Sequence, residues 1–192
     1  MARSTTSKGT RYVALLRGIN VGGKNKVPMV DLVAMFTEAG CGEVTTYIQS
    51  GNIVFSASAS CAKRLPSAVT VAIAKKFAYQ IPVVLRTAEE LREVAATNPF
   101  LSSRRNRPES DSLHVAFLAD EPDKARTAAL DPNRSPGDSF FVRGREAYLC
   151  LPNGVARTKL TNAYFDKALG TISTVRNWRT VLTLADMVKA SV

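Results

Sequence analysis

Two stretches of this chain pass through the same succession of periodicities, and that repetition limits the possible folds more than any single motif does. In the first, Arg11 to Ile19 reads as a strand and Pro28 to Ala39 as a helix with Gly40 just past its end. Glu43 to Ile48 and Asn52 to Ala57 read as a hairpin about Gln49-Ser50-Gly51, followed by a helix from Ala62 to Tyr79 and a strand from Ile81 to Arg86. The second stretch gives Leu113 to Leu118 as strand, Glu121 to Leu130 as helix, and Phe140 to Val142 with Ala147 to Leu151 as a hairpin about Arg143-Gly144-Arg145. A helix from Thr158 to Leu169 and a strand from Thr171 to Val175 complete it, and a last helix runs from Trp178 to Ala190. The order is βαββαβ twice, without repetition of the residues themselves. It predicts an α+β fold of two ferredoxin-like, split βαβ units in tandem with an extra C-terminal helix. Residues 11–87 form the first unit and residues 113–192 the second with its helix. Residues 88–112 connect them through a helix, Ala88 to Ala96, and a polar, basic loop, Ser102 to Ser112.

A chain of 192 residues with 45% hydrophobic content can bury a core of this size. Lys and Arg number 26 against 16 Asp and Glu, a net charge of +10 that favours anionic partners over cationic ones. Cys41, Cys61 and Cys150 are odd in number and far apart, which points away from a disulfide framework or a zinc site and toward a reducing cytoplasm. Met1 to Arg11 reads as a loose polar tail, and the apolar run Tyr12 to Leu16 is too short for a signal peptide's core. No segment approaches the ~18 apolar residues of a membrane span. The expectation is a cytoplasmic protein without membrane partners; neither a cofactor nor an oligomeric state is legible.

The segment Leu16 to Pro28, LRGINVGGKNKVP, is the most suggestive chemically. Glycines expose backbone N–H groups while Arg17, Lys24 and Lys26 supply positive charge, a combination suited to an anion. Gly18, Gly23 and Lys24 satisfy part of a phosphate-binding P-loop, but Asn25 replaces the hydroxyl that would hold magnesium and Pro28 discourages a helix beginning at Lys24. In a split βαβ unit the end of the first strand and the following hairpin share an edge. That topology predicts Gln49, Ser50 and Asn52 beside Arg17, Asn20, Lys24 and Lys26. A second basic cluster, Arg157, Lys159, Arg176 and Arg179 with Asn153, Asn162 and Asn177, is predicted around a helix N-terminus capped by Thr158. The competing reading pairs these cations with Asp166, Asp186 and backbone carbonyls.

A sheet that stacks bases needs aromatics on its central strands, and Tyr12, Tyr47, Phe55 and Tyr148 are scattered singly instead. The one histidine, His114, lies in an apolar run where a hydrogen-bonded, partly buried ring is expected rather than a general base. No carboxylate pair stands out for acid–base chemistry. The strings RYVALLRGINVGGKNKVPM, TYIQSGNIVF, LCLPNGVARTKLTNAYF and TVRNWRTV resemble those of a bacterial family, the domain-of-unknown-function family numbered sixteen ninety-seven. The resemblance runs from about Arg11 to the C-terminal helix. It implies a two-part α/β protein with ferredoxin-like topology and brings no activity, substrate or cofactor with it. The functional expectation is therefore a protein that holds a phosphate-bearing ligand, a nucleotide or short nucleic acid, through its basic loops. Two alternatives stay open: an enzyme acting on an anionic metabolite, and an interaction module for an acidic partner.

Overall fold

The computed structural model describes residues 9–102 and 107–189. Residues 1–8 of the expected polar tail, residues 103–106 at the centre of the basic loop and residues 190–192 lie outside the described residues, and Thr10 and Arg11, expected in the tail, belong to the first strand. Two four-stranded antiparallel sheets and six helices make a mixed α+β architecture among those residues. The first sheet is ordered β2-β3-β1-β4, from β1 Thr10–Leu16, β2 Gly42–Tyr47, β3 Asn52–Ala57 and β4 Val83–Thr87. The second is ordered β6-β7-β5-β8, from β5 Leu113–Leu118, β6 Ser139–Arg143, β7 Glu146–Cys150 and β8 Ser173–Asn177. The two orders are the same when the second set is renumbered from one.

Helices α1 Met29–Glu38 and α2 Ala59–Phe77 cover one face of the first sheet. Their apolar residues Leu32, Phe36, Leu65, Val69 and Ile73 meet Ala14, Leu16, Ile53 and Phe55. Helices α4 Lys124–Ala128 and α5 Asn162–Leu169 belong to the second half, where Phe165 and Leu169 pack on Ala116, Leu118, Ala147 and Leu149. The opposite faces of the two sheets share a third core. Val13, Leu15, Val54 and Val84 from one sheet and Leu113, Val115, Phe117 and Tyr148 from the other pack with helices α3 Ala88–Ala96 and α6 Trp178–Met187. Each sheet therefore buries both faces, which explains why β1 and β5 read as near-continuous apolar runs instead of alternating ones.

Several boundaries differ from expectation. β1 stops at Leu16 and not Ile19, because Gly18 and Asn20 take left-handed backbone (φ 64° and 55°) and fold the chain away from the sheet. α4 spans only Lys124–Ala128 within the expected Glu121 to Leu130. α5 begins at Asn162, capped by Thr161, whose hydroxyl accepts the Tyr164 N–H; Thr158 instead accepts the Leu160 N–H in a local turn. The N-cap role expected of Thr158 is thus corrected. On α6, Trp178, Val181 and Ala185 are buried while Leu182 is 40% exposed. At the ends of the described chain, the Arg11 guanidinium donates to the Met187 carbonyl oxygen at 3.4 Å, bringing the start of β1 against the end of α6.

Candidate functional site

The two halves are joined by a reciprocal pair of arginines. Each is the penultimate residue of its half's last strand: Arg86 in β4, Arg176 in β8. In each case the next residue, Thr87 or Asn177, caps the following helix. Arg86 reaches into the second half, where Nη2 donates to Leu118 O at 2.8 Å and Arg145 O at 2.7 Å, and Nε to Glu146 Oε1 at 2.7 Å. Arg176 reaches into the first half, where Nη2 donates to Leu16 O at 2.7 Å and to Ser50 O and Gly51 O at 3.3 Å, and Nε to Asn52 Oδ1 at 2.6 Å. Strand register makes these positions equivalent: Asn52 faces Leu15 as Glu146 faces Phe117, and Tyr12 faces Thr87 as His114 faces Asn177.

The two positions differ in charge. Around Arg86 stand Glu146 and, at the third position of α3, Glu90, which is itself ion-paired to Arg145. Burial disfavours the charge on Glu90, yet the Thr87 N–H and the Arg145 guanidinium hold its carboxyl below its ordinary value. The equivalents around Arg176 are Asn52, Thr180 and Gly51, none of them charged. Arg176 is buried, its Nη1 donates to Thr174 Oγ1 and Val175 O, and all its contacts are neutral acceptors. Burial lowers its pKa to about 10, with no carboxylate to oppose the shift. The first position keeps a depression of about 280 Å³ whose lining includes Glu90 and Arg145 beside Arg86, whereas at the second Thr180 stands where Glu90 does and Gly51 brings no cation.

The second position opens on a cleft of about 460 Å³ between the halves. Gly18 and Val21 of the first loop, Ile48 and Ser50 of the first hairpin, and Val155 of the loop before α5 line it, with His114, Asn162, Thr174, Val175, Arg176, Asn177 and Thr180. Its polar groups keep capacity for a ligand. Ser50 Oγ accepts from Asn52 Nδ2, and Asn162 Oδ1 accepts from Ser173 Oγ, so the Ser50 hydroxyl proton and the Asn162 amide protons can turn outward. His114 Nδ1 lies 3.2 Å from Ser112 O, and burial pushes the ring's pKa down, so the neutral ring donates there and leaves Nε2 as an acceptor. The expected buried, hydrogen-bonded histidine is what the structure has, with the addition that the residue borders the cleft.

Residues selected from the sequence divide into several groups. Ser50, Arg176 and Asn177 line the cleft, and Asn52 backs it through Arg176. Asn20, Lys26 and Gln49 line a separate depression of about 490 Å³ with Gly23, Val27, Pro28 and Met29. There Asn20 is occupied internally, Nδ2 donating to Val27 O and Gln49 O while Oδ1 accepts the Val27 N–H. Arg17 turns to the second half and pairs with Asp166, whose other oxygen accepts from Ser173. Arg179 pairs with Asp111 at 3.3 Å, with both side chains exposed. Asn153, Arg157 and Lys159 are exposed and lie outside the cleft lining. Among the described residues neither Lys24 nor Lys26 enters an ion pair. The second cluster expected around Thr158 is therefore corrected: Arg176 leaves it for the interior, and no helix begins there. The expected pairing with Asp166 and Asp186 occurs, but through Arg17 and Lys189.

Of the expected neutral donors Asn162 lines the cleft as well, while sequence reading missed Val21, Ile48, Val155, Thr174 and Thr180. Aligning Arg86-Thr87-Ala88-Glu89-Glu90 with Arg176-Asn177-Trp178-Arg179-Thr180 would have exposed the last of these. Among the described residues no group of three or more His, Cys, Asp or Glu could hold a metal ion, and no helix is long and apolar enough to cross a membrane.

The chain is similar to a conserved bacterial protein from Streptococcus pneumoniae of known structure, with a TM-score of 0.70 and 25% identity over 93% of this chain and 98% of that one. No curated protein matches it. The sequence pattern of the protein of unknown function family DUF1697 matches residues 10–148, and the chain belongs to that family.

Proposed function

We propose that the protein binds a phosphate-bearing ligand in the cleft between its halves. The observation that carries this reading is the contrast between the two buried arginines. Arg86 has Glu146 against its guanidinium, with the Glu90–Arg145 ion pair lining its depression, whereas Arg176 has only the Asn52 amide, the Thr174 hydroxyl and carbonyl oxygens and borders a cleft whose lining, among the described residues, carries no carboxylate. A buried cation without a counter-charge raises the potential of an adjoining low-dielectric cavity and favours an anion there. All of Arg176's N–H groups are engaged, so its part is electrostatic; the hydroxyls of Ser50 and Thr180 and the amide of Asn162 are the groups placed to donate. We read the halves as ferredoxin-like units, residues 11–87 and 113–192 joined by 88–112, a reading supported by the strand order common to both sheets. The cysteines, all unbridged, fit a cytoplasmic location.

Thermal unfolding with inorganic phosphate and with phosphorylated metabolites tests the proposal. A ligand present at about 100 times its Kd should add ~2.7 kcal/mol to the unfolding free energy. Asn52→Asp, which restores at Arg176 the counter-charge found at Arg86, should stay folded and lose the shift. Phosphate compounds that leave the wild-type transition unmoved would overturn the reading. Binding only to oligonucleotides, falling steeply with salt, would move the ligand class to nucleic acid.

A further inference from the structure

The rim of the cleft is as unusual as its floor. Val21, Ile48 and Val155 are 61%, 53% and 56% exposed, and these branched apolar side chains line one opening from three separate segments and both halves. Exposed apolar residues scattered singly call for no explanation, but apolar residues gathered at the mouth of a polar cavity do. Ile48 is moreover held at φ 47°, in the left-handed region where a β-branched side chain is strained. Asn or Gly would occupy that turn position more comfortably, so the strain keeps an apolar group where the backbone disfavours it.

Building on the anion reading above, we infer that the ligand is a phosphomonoester with an apolar body. Its phosphate would lie toward Arg176, Ser50 and Thr180, and its apolar part against Val21, Ile48 and Val155. Charge at the floor and hydrocarbon at the rim exclude sugar phosphates as the preferred class, since their hydroxyls would be desolvated against three branched side chains without partners. A cleft of about 460 Å³ suits a small aryl or alkyl phosphate, within the ordinary range of small-molecule sites.

Isothermal titration of the full chain with inorganic phosphate, phenyl phosphate, hexyl phosphate and glycerol phosphate tests this. Phenyl or hexyl phosphate should bind at least about tenfold more tightly than inorganic or glycerol phosphate, the margin expected of one buried branched side chain. Which of the two is preferred separates an aromatic from an aliphatic body. The double variant Ile48→Asn with Val155→Ser should lose that margin, keep its affinity for inorganic phosphate, and melt no lower than wild type, because Asn relieves the strain at position 48. If inorganic phosphate binds and the apolar esters bind no better, the rim has no part in recognition and this inference fails while the anion reading stands. Failure of all four probes overturns both. A change of oligomeric state in the double variant with an unchanged phenyl phosphate affinity would assign the rim to contact between copies of the chain and overturn the inference as well.

Discussion

Gly51 sits at the crossing point of the two halves, and its lack of a side chain is structural. Its φ is 75°, and a Cβ there would lie 2.7 Å from Leu16 Cβ and 3.0 Å from Ile19 Cγ1, against a strand that cannot retreat without opening the core. Gly51→Ala should therefore cost ~1–3 kcal/mol from backbone strain alone, read as a lower urea midpoint with an unchanged slope. His114 provides a pH test. Burial lowers its pKa from the ordinary 6.5, so as pH falls below 6.5 the unfolded chain takes up a proton before the folded one does. Stability present above that pH should decline as the pH drops through the folded-state value. Because the chain has 1 histidine, His114→Gln should flatten the part of the stability curve between pH 6.5 and the onset of carboxylate titration. Arg176 and Asn52 were each legible from sequence as polar residues in suggestive loops. Their contact was not, because the two lie 124 positions apart and neither periodicity nor local spacing reports such a pairing.

At the level of elements, strand and helix order was legible throughout, since alternating apolar patterns and glycine punctuation are local signals. Helix starts were less so. Thr158 and Thr161 are both reasonable caps by residue type, and the choice of Thr161 follows from the turns between Leu151 and Arg157, held by the Gly154 N–H to Leu151 O and the Arg157 N–H to Gly154 O, which delay the helix. The capping box at α3 is sharper, with Thr87 Oγ1 accepting the Glu90 N–H while Glu90 Oε2 accepts the Thr87 N–H. Thr87→Ala should cost about 1 kcal/mol by chemical denaturation, more than an exposed threonine elsewhere would, because the same Glu90 carboxylate also holds Arg145 over Arg86's side of the molecule. The left-handed Ile48 is the element-scale feature that no sequence rule anticipates, since propensity would have placed Asn or Gly there.

For the whole molecule, the central core ties the halves together. A fragment ending at Ser102 would keep α1, α2 and the first sheet but expose Val13, Leu15, Val54, Val84, Leu91 and Val94 to water. It should bind a hydrophobic dye and unfold without a cooperative transition, whereas the full chain should show a single one. Arg86→Met should be among the most destabilising substitutions, by ~3–5 kcal/mol, because it leaves Glu146 without its partner near the interior and frees the carbonyls of Leu118 and Arg145. That two sheets would form was written in the order of apolar runs. That their inner faces would meet was not, since packing between distant segments is settled by three-dimensional complementarity.

The meeting of Arg11 with Met187 carries a consequence for the order in which the chain can be written. With β1 and the end of α6 in contact, a linker of about six residues should suffice to join the ends. The chain could then be opened between Arg107 and Pro108, so that synthesis would begin with the second sheet and finish with α3, both arginines still crossing to the opposite hairpin.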